Sequence, residues 1–153
     1  MNINPELISK LQDKLTNDLS KDSFVYFVKE FWNEIDPSEL VWNWHIEYIC
    51  KTLEAVYNDT IQHCYIAVPP GSGKSMIVSV LFPVWVWIND PSKSFISTGH
   101  TMSLNTSFCE KSLRLLLNER FMRIFPEIHI DPQAKAKASY RDMSGGSRRA
   151  LSF

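Results

Sequence analysis

The sequence predicts an α/β fold in which a parallel sheet is flanked by helices. Residues 64–68 form a short apolar run with β-branched side chains, and two prolines follow it, which indicates a buried strand. Residues 75–88 have the length and apolar density of a buried helix, and residues 94–97 indicate a second strand. A strand, a crossover helix and a second strand make a right-handed parallel βαβ unit, so a parallel sheet is expected.

A glycine-rich loop joins the first predicted strand to the helix, with the sequence Val-Pro-Pro-Gly-Ser-Gly-Lys-Ser at residues 68–75. Its glycines allow backbone angles and close approaches that a side chain would block. Backbone N–H groups in such a loop and at a helix N-terminus bind anions. Lys74 would reach the β- and γ-phosphates, and the Ser75 hydroxyl would bind Mg²⁺. The residues expected to bind the nucleotide are Pro70, Gly71, Ser72, Gly73, Lys74 and Ser75.

The order of strand, glycine loop and helix is the context of a phosphate-binding P-loop. It predicts a P-loop NTPase-like fold that binds ATP and Mg²⁺. The full motif has glycine at the position of Val68. The alternative is therefore a plain glycine turn between a strand and a helix, with Lys74 exposed to solvent.

The composition is that of a globular protein, with 44% hydrophobic and 22% charged residues among 153. A net charge of −1 indicates no particular partner, so any contact with nucleic acid depends on a local basic patch. The three widely spaced cysteines favour a reducing compartment and a role as small core residues. No signal peptide is expected, and the apolar run at residues 76–88 is shorter than the roughly 20 residues that a membrane span needs.

Three amphipathic helices are predicted ahead of the glycine loop. The first covers residues 5–19, with Leu7, Ile8, Leu11, Leu15 and Leu19 on one face. The second follows a cap at Asp22 or Ser23 and ends at residues 36–37. The third starts near residues 42–45 and ends at residues 58–59. These helices predict a helical N-terminal lid segment at residues 1–60, followed at residues 61–153 by the first part of an ATPase core. That part consists of strand, Walker A loop, helix, strand, helix and basic loop.

Two aromatic side chains lie at the start of the third predicted helix. Trp44 and His45 stand just upstream of the predicted P-loop strand, where many nucleotide-binding ATPases carry a residue that contacts adenine. They are therefore candidates for binding the base. The alternative is that Trp44 belongs to the core and that His45 is a surface or capping residue.

The composition changes after residue 131, where basic residues outnumber acidic ones and apolar residues become sparse. The basic residues are Lys135, Lys137, Arg141, Arg148 and Arg149. One interpretation is a basic loop that touches phosphate, either of DNA or of a nucleotide bound by a neighbouring chain. The other is a solvated loop or hairpin. Residues 151–153 have the pattern of the beginning of a strand.

The second motif of a P-loop NTPase is an apolar strand that ends in an acidic residue, and this pattern is not found after Ser75. The strand at residues 94–97 continues into Thr98 and Gly99, and Asp131 follows an apolar run that is too short. The sequence therefore predicts an incomplete ATPase core.

With these motifs the sequence resembles the large terminase subunit of tailed bacteriophages, the ATPase that drives DNA into capsids. Trp44 and His45 ahead of a helix resemble the segment before the family's P-loop, and residues 69–75 resemble its proline-led Walker A loop. Residues 82–91 resemble the P-loop helix and its end, and residues 98–117 resemble the second strand and the long helix. Residues 145–149 resemble the stretch before the family's Walker B strand.

The resemblance implies function and partners. It implies an ATP-binding part of a terminase large subunit that uses Mg-ATP to translocate viral DNA, in the cytoplasm of the bacterial host. Its partners would be double-stranded DNA, other terminase chains in a ring, the small terminase subunit and the portal. Lys74 would be catalytic, and Arg148 or Arg149 would reach into a neighbour's site. The chain would be a fragment, a split gene product or a remnant, with the missing acid supplied elsewhere.

Two alternative functions belong to other classes of protein. One is another P-loop NTPase, such as a helicase-like ATPase or a small-molecule kinase, which would turn over ATP by itself. The other is a truncated, non-catalytic binding module, which would show no turnover in any assembly.

Overall fold

A computed structural model describes residues 4–152, which form an α/β fold with seven α-helices, one π-helical segment and four strands. The helices are α1 (Pro5–Asp22), α2 (Phe24–Ile35), α3 (Trp44–Tyr57), α4 (Lys74–Met76), α5 (Phe82–Asn89), α6 (Met102–Leu116) and α7 (Glu119–Ile124). The strands are β1 (Phe95–Gly99), β2 (Ile130–Ala136), β3 (Ser139–Asp142) and β4 (Ser147–Ser152). No helix within this range is both long and apolar enough to cross a membrane.

The three predicted N-terminal helices are confirmed, and their ends follow from local hydrogen bonds. Of the two candidate caps for α2, Ser23 is the one used, because its Oγ accepts from the N–H of Tyr26 at 3.2 Å. Helix α2 ends at Asp36, whose backbone leaves the helical region before Pro37. Asn43 caps α3 by accepting from the N–H of Trp44 at 2.7 Å.

The predicted helix after the glycine loop is a continuous helical run at residues 74–89, which we call the bulged helix. Its middle is a π-helical segment, Ile77–Leu81, between α4 and α5. Proline ordinarily ends or kinks a helix, because it lacks an N–H and clashes with the carbonyl four residues earlier. The helix instead continues through Pro83, because the wider π turn before it shifts the hydrogen bonding, and Phe82 donates to the carbonyl of Ile77.

The sheet is mixed, so the prediction of a wholly parallel sheet is wrong. Its strand order is β1-β4-β3-β2, with β1 parallel to β4 and the other two pairs antiparallel. Short turns join β2 to β3 and β3 to β4, and turns of this length allow only antiparallel pairing. The basic segment after residue 131 therefore forms strands joined by short turns, and the prediction that it is a loop is wrong. The predicted strand at its end is confirmed for residues 151–152, since β4 includes them.

The predicted strand at residues 64–68 is not a strand. The segment has no regular secondary structure, and Cys64 and Tyr65 are exposed. Within residues 4–152, β4 is the only strand paired with β1, so the expected βαβ unit does not form; the parallel pair is β1 with β4. A short apolar run forms a strand only when a neighbouring strand pairs with its backbone N–H and C=O groups. The sequence of the run does not specify that neighbour.

One hydrophobic core joins the two segments that the sequence divides at residue 60. The ring of Phe24 in α2 lies 5.1 Å from that of Trp85 in the bulged helix. Phe31 in α2 lies 5.6 Å from Phe121 in α7. Helix α6 packs between the bulged helix and β4. The core therefore fixes the position of the N-terminal helices against the glycine loop.

Candidate phosphate-binding site

The glycine loop (residues 68–75) turns into the bulged helix through two residues with positive φ. Gly71 has φ +81° and Gly73 has φ +77°, a region that favours glycine. Gly73 is the N-cap of α4, and its carbonyl accepts from the N–H of Ile77 at 3.1 Å. The first N–H groups of the helical run therefore have no partner within the helix and are available to an anion.

Trp32 in α2 fixes one side of this loop. A side chain at Gly73 would place its Cβ 3.3 Å from Cη2 of Trp32, so the indole packs directly against the loop backbone. The indole N–H of Trp32 donates to the carbonyl of Ser38 at 3.0 Å, which fixes the ring's orientation. The requirement for glycine at residue 73 thus has two causes, the backbone angle and the tryptophan.

An open cleft of about 450 Å³ lies between the glycine loop and the end of α2. Residues 68–76 form one wall, and Trp32, Asp36 and Ser38 form the other. All six residues predicted to bind the nucleotide line this cleft: Pro70, Gly71, Ser72, Gly73, Lys74 and Ser75. The predicted site residues of the loop therefore share one concave surface.

Asp36 is a cleft residue that the sequence analysis missed. Its Oδ1 accepts from the hydroxyl of Ser38 at 2.5 Å and from the N–H of Ser38 at 2.9 Å. These two hydrogen bonds hold the pKa of the Asp36 carboxyl below its ordinary value. The sequence signal was an Asp-Pro-Ser turn after a helix, which indicated only a break in the chain.

Lys74 and Ser75 begin the bulged helix at the edge of the cleft. The Lys74 Nζ lies 3.5 Å from the carbonyl oxygen of Ile66, a contact at the outer limit of a hydrogen bond. The ammonium is therefore held only weakly within the protein. Ser75 is exposed to solvent.

His45 contacts the glycine loop, and Trp44 is exposed to solvent. The His45 Nε2 lies 3.3 Å from the carbonyl oxygen of Ser72. Trp44 is 76% exposed, so the alternative that it belongs to the core is wrong. Both residues line a cavity of about 310 Å³ between α3 and residues 64–68, together with Tyr48 and Tyr65. The aromatic residues ahead of the loop thus form a second concavity that adjoins the loop at Val68.

The two candidate arginines have different environments. Arg148 is 1% exposed, and its guanidinium donates to the hydroxyl of Ser112 at 2.7 Å and to the carbonyl of Ser79. It therefore does not reach a neighbouring chain from this position, and that expectation for Arg148 is wrong. Arg149 is exposed on the other face of β4. The alternation of side chains along a strand places one arginine inside and the other outside.

The residues of the cleft fit a metal that is held mainly by phosphates. Among residues 4–152, no three or more His, Cys, Asp or Glu side chains are grouped so that they could hold a metal ion. Magnesium in nucleotide sites takes few protein ligands and is completed by phosphate oxygens and water. The side-chain oxygen groups that line this cleft are the Asp36 carboxylate and the hydroxyls of Ser38, Ser72 and Ser75.

Comparison of the chain with models of protein families, with curated proteins and with solved structures found no match. The resemblance to terminase large subunits therefore rests on the residues quoted above.

Proposed function

We propose that the chain binds the phosphates of Mg-ATP at the glycine loop, as the ATP-binding part of a phage DNA-packaging terminase large subunit. The positive φ angles of Gly71 and Gly73, directly ahead of a helix that begins at Lys74, carry this proposal. Such backbone turns direct successive N–H groups to one side, which makes a concave site for an anion. The Trp32 contact supports it, because the loop is packed in this conformation rather than left free.

Each residue of the loop has a distinct role in this proposal. The backbone N–H groups of Gly71, Ser72 and Gly73 hold phosphate oxygens. Lys74 releases its weak contact with Ile66 and donates to the phosphates, where a charge-assisted hydrogen bond is stronger. Ser75 provides a hydroxyl ligand to the magnesium ion, which neutralises charge on the phosphates.

The base of the nucleotide is proposed to lie near His45 and Trp44. The contact between His45 and Ser72 supports this position, because it joins the aromatic cavity to the phosphate loop. An exposed indole such as Trp44 offers a stacking face to a purine.

Turnover is proposed to need groups from outside residues 4–152. Within that range β1 continues into His100 and β4 ends at Ser152, and neither end carries an acidic residue. The acid that orients the metal-bound nucleotide would come from another part of the assembly. By the resemblance, that assembly includes other terminase chains in a ring, the small subunit, the portal and double-stranded DNA. Arg149 remains the candidate to reach a neighbouring site, since it is exposed.

Calorimetric titration with Mg-ATP tests the phosphate site. We expect the wild-type chain to bind and Lys74→Ala to bind about 10- to 100-fold more weakly, since a hydrogen bond to a charged group contributes roughly 1.5–3 kcal/mol. Lys93→Ala is the matched control, because Lys93 lies just beyond the other end of the bulged helix with its side chain half exposed.

Equal binding by wild type and Lys74→Ala would reject the proposed role of the loop. A folded wild type that binds no ATP would reject the site itself. Binding without hydrolysis by the chain alone is the expected result. Hydrolysis by the chain alone would instead favour a self-sufficient P-loop ATPase.

A further inference from the structure

The cleft beside the glycine loop has two walls of opposite polarity. On one wall the bulged helix begins at Lys74, and the N-terminus of a helix carries partial positive charge. On the other wall α2 ends at Ile35 with Asp36 as its C-cap, and the free carbonyls of a helix C-terminus carry partial negative charge. The phosphate-binding side of the cleft therefore faces a helix end that favours a cation.

Asp36 adds a full negative charge to this helix end. The last turn of α2 contains no basic residue. Lysine or arginine is stabilised at the C-terminus of a helix by the helix dipole, whereas a carboxylate is destabilised there. Sequences that break such a local rule commonly do so at functional sites. An acid at this position is therefore accounted for by a ligand that brings positive charge into the cleft.

The acids within α2 are neutralised by an ion pair, and Asp36 is not. Glu30 and Glu34 both pair with Arg120 of α7. The ion pairs formed among residues 4–152 do not include Asp36. Both hydrogen bonds from Ser38 go to its Oδ1, so they orient the carboxylate without using Oδ2.

Lys111 of α6 is a basic residue near this carboxylate. The hydrogen bonds from Ser38 are the main cause of the lowered pKa of Asp36, and the charge of Lys111 contributes to it. The Lys111 ammonium contacts the Sδ of Met76 at 3.6 Å rather than the carboxylate. Asp36 is thus ionised at neutral pH, and its charge is available to a metal ion in the cleft.

We propose that Asp36 makes nucleotide binding at the glycine loop depend on Mg²⁺. A bare triphosphate held at the loop would face this carboxylate across the cleft and be repelled by it. A magnesium ion on the phosphates instead lies between the two sets of negative charge and is attracted by both. Magnesium keeps several of its waters in nucleotide sites, so the carboxylate can act on it through a bound water. This inference rests on the proposed ATP site, and it concerns selection of the metal-bound nucleotide, whereas the acid needed for turnover is a separate group.

Calorimetric titration with ATP, once with Mg²⁺ and once with EDTA, tests the role of Asp36. We expect the wild-type chain to prefer the magnesium form. Asp36→Asn should weaken binding of Mg-ATP about three- to tenfold and strengthen binding of metal-free ATP by a similar factor, because it removes both the attraction and the repulsion. Asparagine keeps a side-chain oxygen that can accept from Ser38, so the local turn is retained.

Two other neutralising substitutions are matched controls. Asp22→Asn removes the same charge at the other end of α2, which is about 18 Å long. Glu39→Gln removes an exposed acid from a neighbouring concavity that residues 71–73 also line. Both variants should keep the ratio of the two affinities within about twofold of the wild-type value. Circular dichroism would verify that all variants are folded.

The possible outcomes separate this inference from the proposed function. Opposite shifts of the two affinities in Asp36→Asn, and not in the controls, would support the role of Asp36. Lys74→Ala that weakens both forms, together with Asp36→Asn that changes neither or changes both in the same direction, would keep the ATP site and overturn this inference. Loss of the magnesium preference in Glu39→Gln would overturn it as well. A folded wild type that binds neither form would reject the ATP site and the inference with it.

Discussion

Arg148 connects the π segment of the bulged helix to the sheet. Its guanidinium donates to the carbonyl of Ser79. In a regular helix this carbonyl would accept from the N–H of residue 83, but Pro83 has none. It also donates to the Ser112 hydroxyl at 2.7 Å, and that hydroxyl donates in turn to the Val80 carbonyl at 2.9 Å. Two carbonyls of the widened turn thus receive side-chain donors in the buried core. A buried carbonyl without a donor would destabilise the fold.

Replacing Arg148 should therefore lower the stability of the folded state. We expect Arg148→Met and Ser112→Ala each to cost about 1–3 kcal/mol in the free energy of unfolding, because each leaves a buried carbonyl without its donor. Urea denaturation of both single variants and of the double variant measures this. The two effects should be less than additive, since Arg148 and Ser112 share one hydrogen bond.

Arg149→Met is the control for this pair of substitutions. Arg149 is the next residue in β4 and is exposed, so its replacement should change the free energy of unfolding by no more than about 0.5 kcal/mol. Equal losses for Arg148→Met and Arg149→Met, or strict additivity with Ser112→Ala, would contradict the network.

At the scale of elements, the turn between β3 and β4 determines how the sheet meets the loop before β1. Gly146 donates its N–H to the carbonyl of Pro91 at 3.1 Å. A Cβ at Gly146 would collide with the backbone carbonyl oxygens of Pro91 and Lys93. Gly145, in the same turn, has φ +103°, and a Cβ added there would meet no atom within 4 Å. The two glycines are thus required for different reasons.

Gly146→Ala should destabilise the chain more than Gly145→Ala. We expect Gly145→Ala to cost about 1–3 kcal/mol for the unfavourable backbone angle alone. The Gly146 substitution forces two backbone segments apart, and we expect it to cost about 4 kcal/mol or more, which is exceptional for one substitution. Thermal unfolding of both variants compares them. A Gly146→Ala chain as stable as the Gly145 variant would show that this close approach is not required.

At the scale of the whole molecule, burial makes stability depend on pH in the alkaline range. Tyr140 is 1% exposed in the core, where burial raises the pKa of its phenol to about 12. The unfolded chain would ionise it near its ordinary pKa of about 10. The native state therefore holds this proton more tightly, and its stabilising effect is full below about pH 10 and is lost as the pH rises to about 12.

We expect the free energy of unfolding to fall by about 2–3 kcal/mol between pH 10 and pH 12 from this group. Tyr140→Phe should remove that part of the decrease. At neutral pH the free energy of unfolding of the variant should differ little from that of the wild type. The buried hydroxyl has no hydrogen-bond partner within residues 4–152, and the ring contact with Trp87 remains. An unchanged alkaline slope in Tyr140→Phe would contradict this account. The measurement is denaturant unfolding at a series of pH values.

The sequence alone determined the helices and the glycine loop of this protein. Helical periodicity and local caps such as Ser23 act within a few residues, so they can be found without knowing the fold. The same holds for Gly71 and Gly73, whose place before Lys74 already indicated backbone angles that a side chain would block.

Tertiary structure alone decided which strands pair and which faces are buried. The apolar run at residues 64–68 has the residues of a strand but no neighbour within residues 4–152. The polar segment after residue 131 instead forms β2, β3 and β4, which pair with β1 in the order β1-β4-β3-β2. Tertiary structure also decided that the Arg148 side chain is buried and that the leucines of α1 are exposed. Strand pairing and burial depend on contacts between residues far apart in the chain, and the local sequence pattern does not specify those contacts.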